Sequence, residues 1–481
     1  MSSSIKVIPT GVEGLDAVLG GGFPRDSLIV LAGNAGTGKT IFSAQFLYRG
    51  AVDFGENGVY ASFSESREIF TSNMKSFGFD FERLEKDGRF SFLDLLTVRE
   101  SAVSAVLDLI ISEVDRVRAK RLVIDSYTAL AQSFKEPIDA RIVLHVILGK
   151  LIRGMGCTTI LVEEVPFGSS RIGLGIEEFV ADGVIVLNTN QLNGYRLREL
   201  QLLKLRGVML RENMLTFTLS EGFKVFQPYK PKLIEKSNRF KPIPDPPGKH
   251  STGTKSLDEV LDGGLPKGST ILLEMDEKVS ASTYYTVTFP LVCNFLFQGR
   301  AVVCIPTAGV DPKIIYERLT AYGATREEKL RNKIFISTSG TFPKSGDAPF
   351  EIISIEGRNA VEDVDKFLRV AEDLTVQTNQ PVLMIIGVDT LAALYGESRC
   401  EQLISWIVTE ARRISAVVLA VVKAGRRESA IRLSPLADIY LRMTRKHGCP
   451  LLYGVKPRTG LYALEEDTSE GYSIAKLTQI V

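Results

Sequence analysis

The sequence predicts an α/β protein built as two tandem domains, each a mostly parallel sheet flanked by helices. Three observations carry that expectation. Short apolar runs (SLIVLA, GVYASF, RLVIDS, CTTILVEE) alternate with segments of helical spacing, the pattern of a parallel sheet covered by helices. The stretch Gly33-Asn34-Ala35-Gly36-Thr37-Gly38-Lys39-Thr40 stands between one such strand and a helical segment. And TGVEGLDAVLGGGFPRDS (residues 10–27) returns as TGTKSLDEVLDGGLPKGS (residues 252–269), offset by 242 without a gap. Eight or more identities in eighteen positions mark a tandem duplication.

Length and composition agree. A chain of 481 residues exceeds one comfortable core. A formal charge of +1, with 24% charged and 44% hydrophobic residues, is the balance of a soluble globular protein and argues neither for nor against nucleic acid. The longest apolar runs, such as ISAVVLAVV, reach about half the ~20 residues of a membrane span. The N-terminus, MSSSIKVIPT, has no signal-peptide core, so a cytoplasmic location is expected. Cys157, Cys293, Cys304, Cys400 and Cys449 form no CxxC pair and there are three histidines, which argues against a metal cluster or a disulfide framework.

In chain order, SLIVLA is the first strand and IFSAQFLYRGAV the helix after the glycine loop. The spacing GxxxxGK[ST] is that of a phosphate-binding P-loop: backbone N–H groups curl around a β-phosphate, Lys39 reaches the β/γ oxygens, and the Thr40 hydroxyl can ligate Mg²⁺. GVYASF runs into Ser64 and Glu65, and that carboxylate is placed either to orient and deprotonate a water beside a γ-phosphate or to cap the next helix. RLVID ends on Asp125, where the carboxylate of a magnesium shell belongs. CTTILVEE and GVIVLN continue the sheet, and RLRELQLLKLRG and MLTFTLS follow as strands, antiparallel at its edge. In RLRELQLLKLRG, Lys204 and Arg206 lie two apart and face one side, either as a solvated strand face or as a cationic pair that can reach the nucleotide of a neighbouring subunit. The first domain is expected over residues 1–225. Residues 226–250, with six prolines and several lysines, read as a linker.

The second domain, 251–481, repeats the strand order with TILLEM, AVVCIP, VLMIIGV and AVVLAVV. Its chemistry differs. The offset of 242 puts Met275, Ser280, Ala281 and Ser282 where Gly33, Gly38, Lys39 and Thr40 stand, and Pro306-Thr307 where Ser64-Glu65 stand. Bulk replaces glycine and the phosphate-binding lysine is gone. Asp389 is read as ending its strand as Asp125 does, and Lys456-Pro457-Arg458 as matching Lys204-Leu205-Arg206. One nucleotide site per chain is expected.

TGVEGLDAVLGGGFP, GNAGTGKT with IFSAQFLY, SFGFD at 76–80, IDS at 124–126, EEFVAD at 177–182 and KLRG at 204–207 together resemble the KaiC family within the RecA-like ATPases. The resemblance covers most of residues 8–225; in the second half it is weaker and strongest over 251–269. It implies two RecA-like P-loop domains, ATP with Mg²⁺ as ligand, and ring-shaped homo-hexamers with nucleotide between subunits. It further implies Gly38, Lys39 and Thr40 on phosphate and metal, Asp125 on the metal shell, Ser76 near the nucleotide, and Lys204, Leu205 and Arg206 acting across the interface. One departure is Ser64 where the family carries the first of two adjacent glutamates, which predicts slow hydrolysis with Glu65 as base. The expected function is an ATPase with an active first domain and a degenerate, regulatory second domain that lacks autokinase activity and binds an unnamed protein partner. Two alternatives stand beside it. A recombinase paralogue acting on DNA would use Gly168-Ser169-Ser170-Arg171, and a nucleotide-gated scaffold would turn over little ATP.

Overall fold

The computed structural model describes residues 6–96, 103–132, 143–169, 172, 177–234, 236–337, 351–355 and 357–481. The chain forms two compact units, residues 1–228 with Ile480–Val481, and residues 229–479.

In the first unit the elements that position the site are β1 (Leu28–Gly33), α1 (Lys39–Phe54), β2 (Gly58–Ser62), α2 (Arg67–Lys75), β3 (Phe90–Asp94), α3 (Val103–Arg116), β4 (Arg121–Asp125), α4 (Tyr127–Gln132), β5 (Thr158–Glu164), α5 (Glu177–Val180), β6 (Gly183–Leu192), β7 (Tyr195–Leu205), β8 (Met214–Thr218) and β9 (Lys224–Phe226). The sheet runs β9-β8-β7-β6-β1-β5-β4-β2-β3. β6 through β3 are parallel and β7, β8 and β9 antiparallel at one edge. β1 and β4 are buried along their whole length. Helices cover them on both faces, which is why they read as unbroken apolar runs instead of alternating ones. The carboxyl ends of β1, β2, β4 and β5 open onto one rim, where α/β sheets place ligands.

The second unit repeats the plan. Its elements include β10 (Thr270–Met275), α6 (Ala281–Phe297), β11 (Val302–Ile305), α7 (Pro312–Ala321), β12 (Asn332–Ser337), β13 (Glu351–Ile355), α8 (Ala360–Thr378), β14 (Leu383–Gly387), α9 (Val388–Tyr395), α10 (Glu397–Arg413), β15 (Val417–Val422), β16 (Ile439–Lys446), β17 (Cys449–Lys456), β18 (Leu461–Asp467) and β19 (Ile474–Gln479). Its sheet runs β13-β12-β11-β14-β15-β10-β16-β17-β18-β19.

The repeated motif has a physical reason. Thr10 donates from its N–H (2.8 Å) and its hydroxyl (2.6 Å) to Asp16 Oδ1, and the Asp16 carbonyl accepts from Gly21 N (2.7 Å). Thr252 makes the same pair of bonds to Asp258 Oδ1 (2.7 and 2.7 Å), and Asp258 O accepts from Gly263 N (2.7 Å). A Cβ on Gly22 or Gly264 would press against a backbone carbonyl, that of Ile8 or His250, at 1.9 or 2.4 Å. The motif is a self-satisfied turn that only glycine can close.

Both sheets also share a bulge. The β6–β7 register slips between Val184 and Ile185, leaving Leu203 out, and the β16–β17 register slips between Tyr440 and Leu441, leaving Val455 out. Lys204 and Lys456 take the matching positions, donating to Ala181 O (2.7 Å) and Ala437 O (2.5 Å).

Strand register corrects two of the sequence alignments. Arg121 and Leu383 both lie beside the residue that precedes the neighbour of their unit's first core strand, so Gly387 stands at the place of Asp125. Asp389 sits two residues later, in the first turn of α9, accepting from Ala308 N at 2.9 Å. By the same reasoning Cys304 matches Tyr60, so Ala308-Gly309 match Ser64-Glu65 and Pro306-Thr307 do not. The offset of 242 holds for the first strand and its helix and changes beyond them, because the segments between the strands differ in length.

The proline-rich stretch read as a linker is docked on the second unit over most of its length. Lys232 N donates to Glu466 Oε2 (2.9 Å), Arg239 pairs with Glu328 (2.5 Å), Ile243 N donates to Asn294 Oδ1 (2.7 Å), and Phe240 is 2% exposed against Tyr322 and Tyr472. Proline keeps the strap extended, and side chains of the core meet the backbone groups that no strand partner satisfies.

Candidate nucleotide site

β1 ends at Gly33, and the next residues turn into α1. A Cβ on Gly33 would lie 2.5 Å from Leu187 O and 2.8 Å from Thr37 Oγ1, so only glycine fits. Gly38 turns the chain at φ 99° to start α1 at Lys39. Asn34 Nδ2 donates to Val165 O (2.8 Å), Val165 N to Gly33 O (3.1 Å) and Thr37 Oγ1 to Asn34 O (2.9 Å), which tie the loop to the end of β5 and leave Ala35 and Gly36 exposed at its tip. Arg198, 6% exposed on β7, donates Nη1 to Gly36 O at 3.2 Å and steadies that tip from behind. Burial lowers the Arg198 guanidinium to about 10.

Lys39 Nζ folds over the loop onto Gly33 O (2.8 Å) and Asn34 O (2.9 Å). Burial lowers its pKa, while the charges of Glu164 and Asp125 act the other way. At the first turn of α1, Thr40 Oγ1 donates to Asp125 Oδ2 at 3.1 Å, and the Tyr60 hydroxyl donates to the same oxygen. Asp125 is 5% exposed; burial raises its pKa, and the Tyr60 and Thr40 hydrogen bonds oppose that rise. A hydroxyl and a carboxylate on one spot are oxygen donors of the kind a magnesium ion takes alongside phosphate oxygens and waters, so the residues present fit the ion. Among the described residues no group of three or more His, Cys, Asp or Glu could hold a metal by itself.

Glu65 sits on a turn built by Ser62, whose Oγ donates to Glu65 O (2.7 Å) and accepts from Glu65 N (3.1 Å). The cap of α2 is Ser66, which accepts from Ile69 N, so the capping alternative for Glu65 falls away. Its carboxyl is half-buried; burial first and the Asp125 charge second push its pKa up, and a hydrogen bond from Asn73 holds it down. Lys39, Thr40, Glu65 and Asp125 therefore meet on one rim.

Other predicted residues lie elsewhere. Ser76 closes the C-terminus of α2, exposed, donating to Asn73 O (2.6 Å). Leu205 is buried, 7% exposed. Lys204 and Arg206 face outward beside α5: Lys204 Nζ reaches Glu178 O (3.2 Å) as well as Ala181 O, and Arg206 bonds Asp182 Oδ1 (3.2 Å) and Phe179 O (3.2 Å). Of Gly168-Ser169-Ser170-Arg171, the last two lie outside the described residues. Sequence reasoning missed Tyr60, Asn73 and Glu164. Tyr60 carried one signal, a phenol inside an otherwise small and aliphatic strand, since a buried hydroxyl needs a partner.

A family model described as "ATPase: KaiC" matches residues 8–230. The UPF0273 protein MJ1359 of Methanocaldococcus jannaschii is 33% identical over 217 residues, which are 42% of this chain and 88% of that protein. The chain belongs to the KaiC-like family of RecA-fold ATPases. The circadian clock oscillator protein KaiC of Thermosynechococcus vestitus is 33% identical over 283 residues, 56% of this chain and 52% of KaiC. The chain thus spans about half the length of the curated KaiC relatives it matches. A crystal structure of the KaiC-like protein PH0186 from Pyrococcus horikoshii OT3 is similar at 37% identity, covering 47% of this chain and 100% of that one, with a TM-score of 0.42. Among the described residues no helix is long and apolar enough to cross a membrane.

Proposed function

We propose that the first unit binds ATP with magnesium and hydrolyses it slowly within a homo-hexamer, and that the second unit binds no nucleotide and serves regulation or partner binding. The observation that carries this reading is the meeting of Lys39, Thr40, Glu65 and Asp125 on the rim beside a glycine loop. In the reaction, loop N–H groups and the start of α1 hold the β-phosphate. Lys39 leaves the Gly33 and Asn34 carbonyls for the β/γ oxygens, and Thr40 and Asp125 hold the metal. Magnesium, when bound, neutralises the charge that develops between the β- and γ-phosphates. Glu65 orients a water in line with the γ-phosphorus and takes its proton as the bond to the β–γ bridging oxygen breaks, giving ADP and phosphate. Ser64 offers no second carboxylate, which supports slow turnover.

For the second unit, the support is what has filled the equivalent rim. Ala281 and Met275 replace Lys39 and Gly33, and Gly387 replaces Asp125. Asp276, in the place of Asn34, accepts from Thr444 Oγ1 (2.9 Å) and Lys278 N (3.0 Å) and puts a negative charge where a phosphate would sit. Lys423 lies 3.9 Å from Asp389 and donates to Ala308 O (2.7 Å). Calorimetric titration of the full chain with Mg·ATP is expected to give one site per chain, lost in Lys39→Ala; two sites would overturn the reading.

A further inference from the structure

Two residues that follow β19 belong to the first unit: Ile480 and Val481. Ile480 is 4% exposed. The Val481 carbonyl accepts from Arg198 Nε, and the Val481 N–H donates at 3.5 Å to the hydroxyl of Thr218, the last residue of β8. A buried guanidinium is costly unless its N–H groups meet acceptors. For Arg198 on β7 the acceptors are backbone carbonyls: Val481 O at Nε, and Gly36 O (3.2 Å) and Thr37 O (3.5 Å) at Nη1. One guanidinium thus joins this segment to the glycine loop.

The bond pattern sets the loop's orientation. Gly36 O and Thr37 O share their peptide planes with the N–H groups of Thr37 and Gly38, which point the opposite way. Drawing the two carbonyls back onto Arg198 therefore turns those N–H groups toward the open side of the loop, where a β-phosphate is held. The Thr218 side of the seat bears on the same loop. Ser220 N also donates to Thr218 Oγ1 (3.3 Å), and Leu219 between them packs on Gly38, where a Cβ would lie 3.0 Å from the Leu219 Cδ1. The unit without a glycine loop lacks the guanidinium as well, since strand register puts Pro450 in the place of Arg198.

Given the nucleotide site proposed above, we infer that Ile480 and Val481 are a positioning segment of that site. Ile480 anchors the segment, the Val481 carbonyl fixes the Arg198 guanidinium, and Arg198 sets the loop N–H groups for the β-phosphate before nucleotide arrives. Without the segment, Arg198 Nε is left buried with no acceptor, and the side chain shifts to find one, releasing the loop carbonyls. The segment continues directly from β19. The unit assigned a regulatory role is therefore covalently continuous with a working part of the nucleotide site, and drawing the segment off lowers nucleotide affinity.

A double-mutant cycle tests this, with Kd for Mg·ATP and Mg·ADP read by calorimetry. Ending the chain at Gln479 is expected to weaken both nucleotides about tenfold, because the β-phosphate is common to them. In an Arg198→Met background the same shortening is expected to change Kd by less than about twofold, since the segment acts through that side chain. A contribution from packing alone would carry over undiminished. Ile480→Ala, a smaller change that guards against misfolding of the shortened chain, is expected to weaken both nucleotides about threefold, again only where Arg198 is present. Unchanged Kd in the shortened chain or in Ile480→Ala, or equal losses in the two backgrounds, would overturn the inference and leave the nucleotide site standing. No Mg·ATP binding by the intact chain would overturn both.

Discussion

Glu163 shows how much one residue can depend on which way it faces. It precedes Glu164 on β5, yet Glu163 is fully buried beside Thr128 and Glu164 is exposed at the rim. Burial pushes the Glu163 carboxyl up to about 8, the charges of Glu177 and Glu164 add to the rise, and the Thr128 hydrogen bond opposes it. Between the unfolded value of 4.5 and about 8 the folded state holds a proton that the unfolded state has released. Stability therefore falls as pH rises through that window, by up to about 5 kcal/mol. Glu163→Gln keeps an acceptor for Thr128 and cannot ionise, so its urea midpoint should exceed the wild type's at pH 8 and approach it at pH 5. Lys39, Thr40 and Asp125 were legible in the sequence because the loop and strand spacings fix their positions. Glu163 was not, because in TTILVEE neither glutamate announces which face of a doubly buried strand it takes.

At the scale of elements, strand order decides which side chains meet. β2 and β4 are neighbours with Ser62 beside Asp125 and Tyr60 beside Val123, so Tyr60 is the diagonal neighbour of Asp125 on the same face, within reach of a long side chain. Phe70 and Phe92 pack its ring, which aims the hydroxyl. Tyr60→Phe removes one of the two hydroxyls that hold Asp125 Oδ2 and keeps the packing. With nucleotide present, the concentration of Mn²⁺ at half-saturation, followed by electron paramagnetic resonance, should rise about tenfold, with metal-free ATP binding unchanged; an unchanged Mn²⁺ affinity would reduce Tyr60 to packing. The alternating pattern gave the parallel core and its antiparallel edge from sequence. It did not give the register, and so it misplaced by two residues both Pro306-Thr307, set by a constant offset, and Asp389, set by its place at a strand end: sequence spacing counts residues, whereas ladders count neighbours in space.

For the whole molecule, the tandem plan was readable because the turn closed by Asp16 and Asp258 permits so little variation. The strap at 229–248 was not, since its prolines look alike whether the chain is free or docked. Lys204 and Arg206 bond to Glu178, Ala181, Phe179 and Asp182, and the proposed hexamer gives them a role toward the site of a neighbouring subunit. Arg206→Ala should then lower turnover by ~10³-fold or more in the assembled protein and leave ATP affinity of the isolated chain near its original value; wild-type turnover in an intact oligomer would end that assignment.

The bulge at Leu203 and again at Val455 also records history. A strand that gains or loses one residue turns every later side chain to the opposite face, so such an insertion cannot be tried and abandoned in small steps. Two independent insertions at the same register, each setting a lysine on the carbonyl of an alanine, are far less economical than one. The single ancestral domain therefore already carried this edge before it was copied. The glycine loop differs between the two units because its residues can change one at a time, and the bulged edge is shared because it could only change all at once.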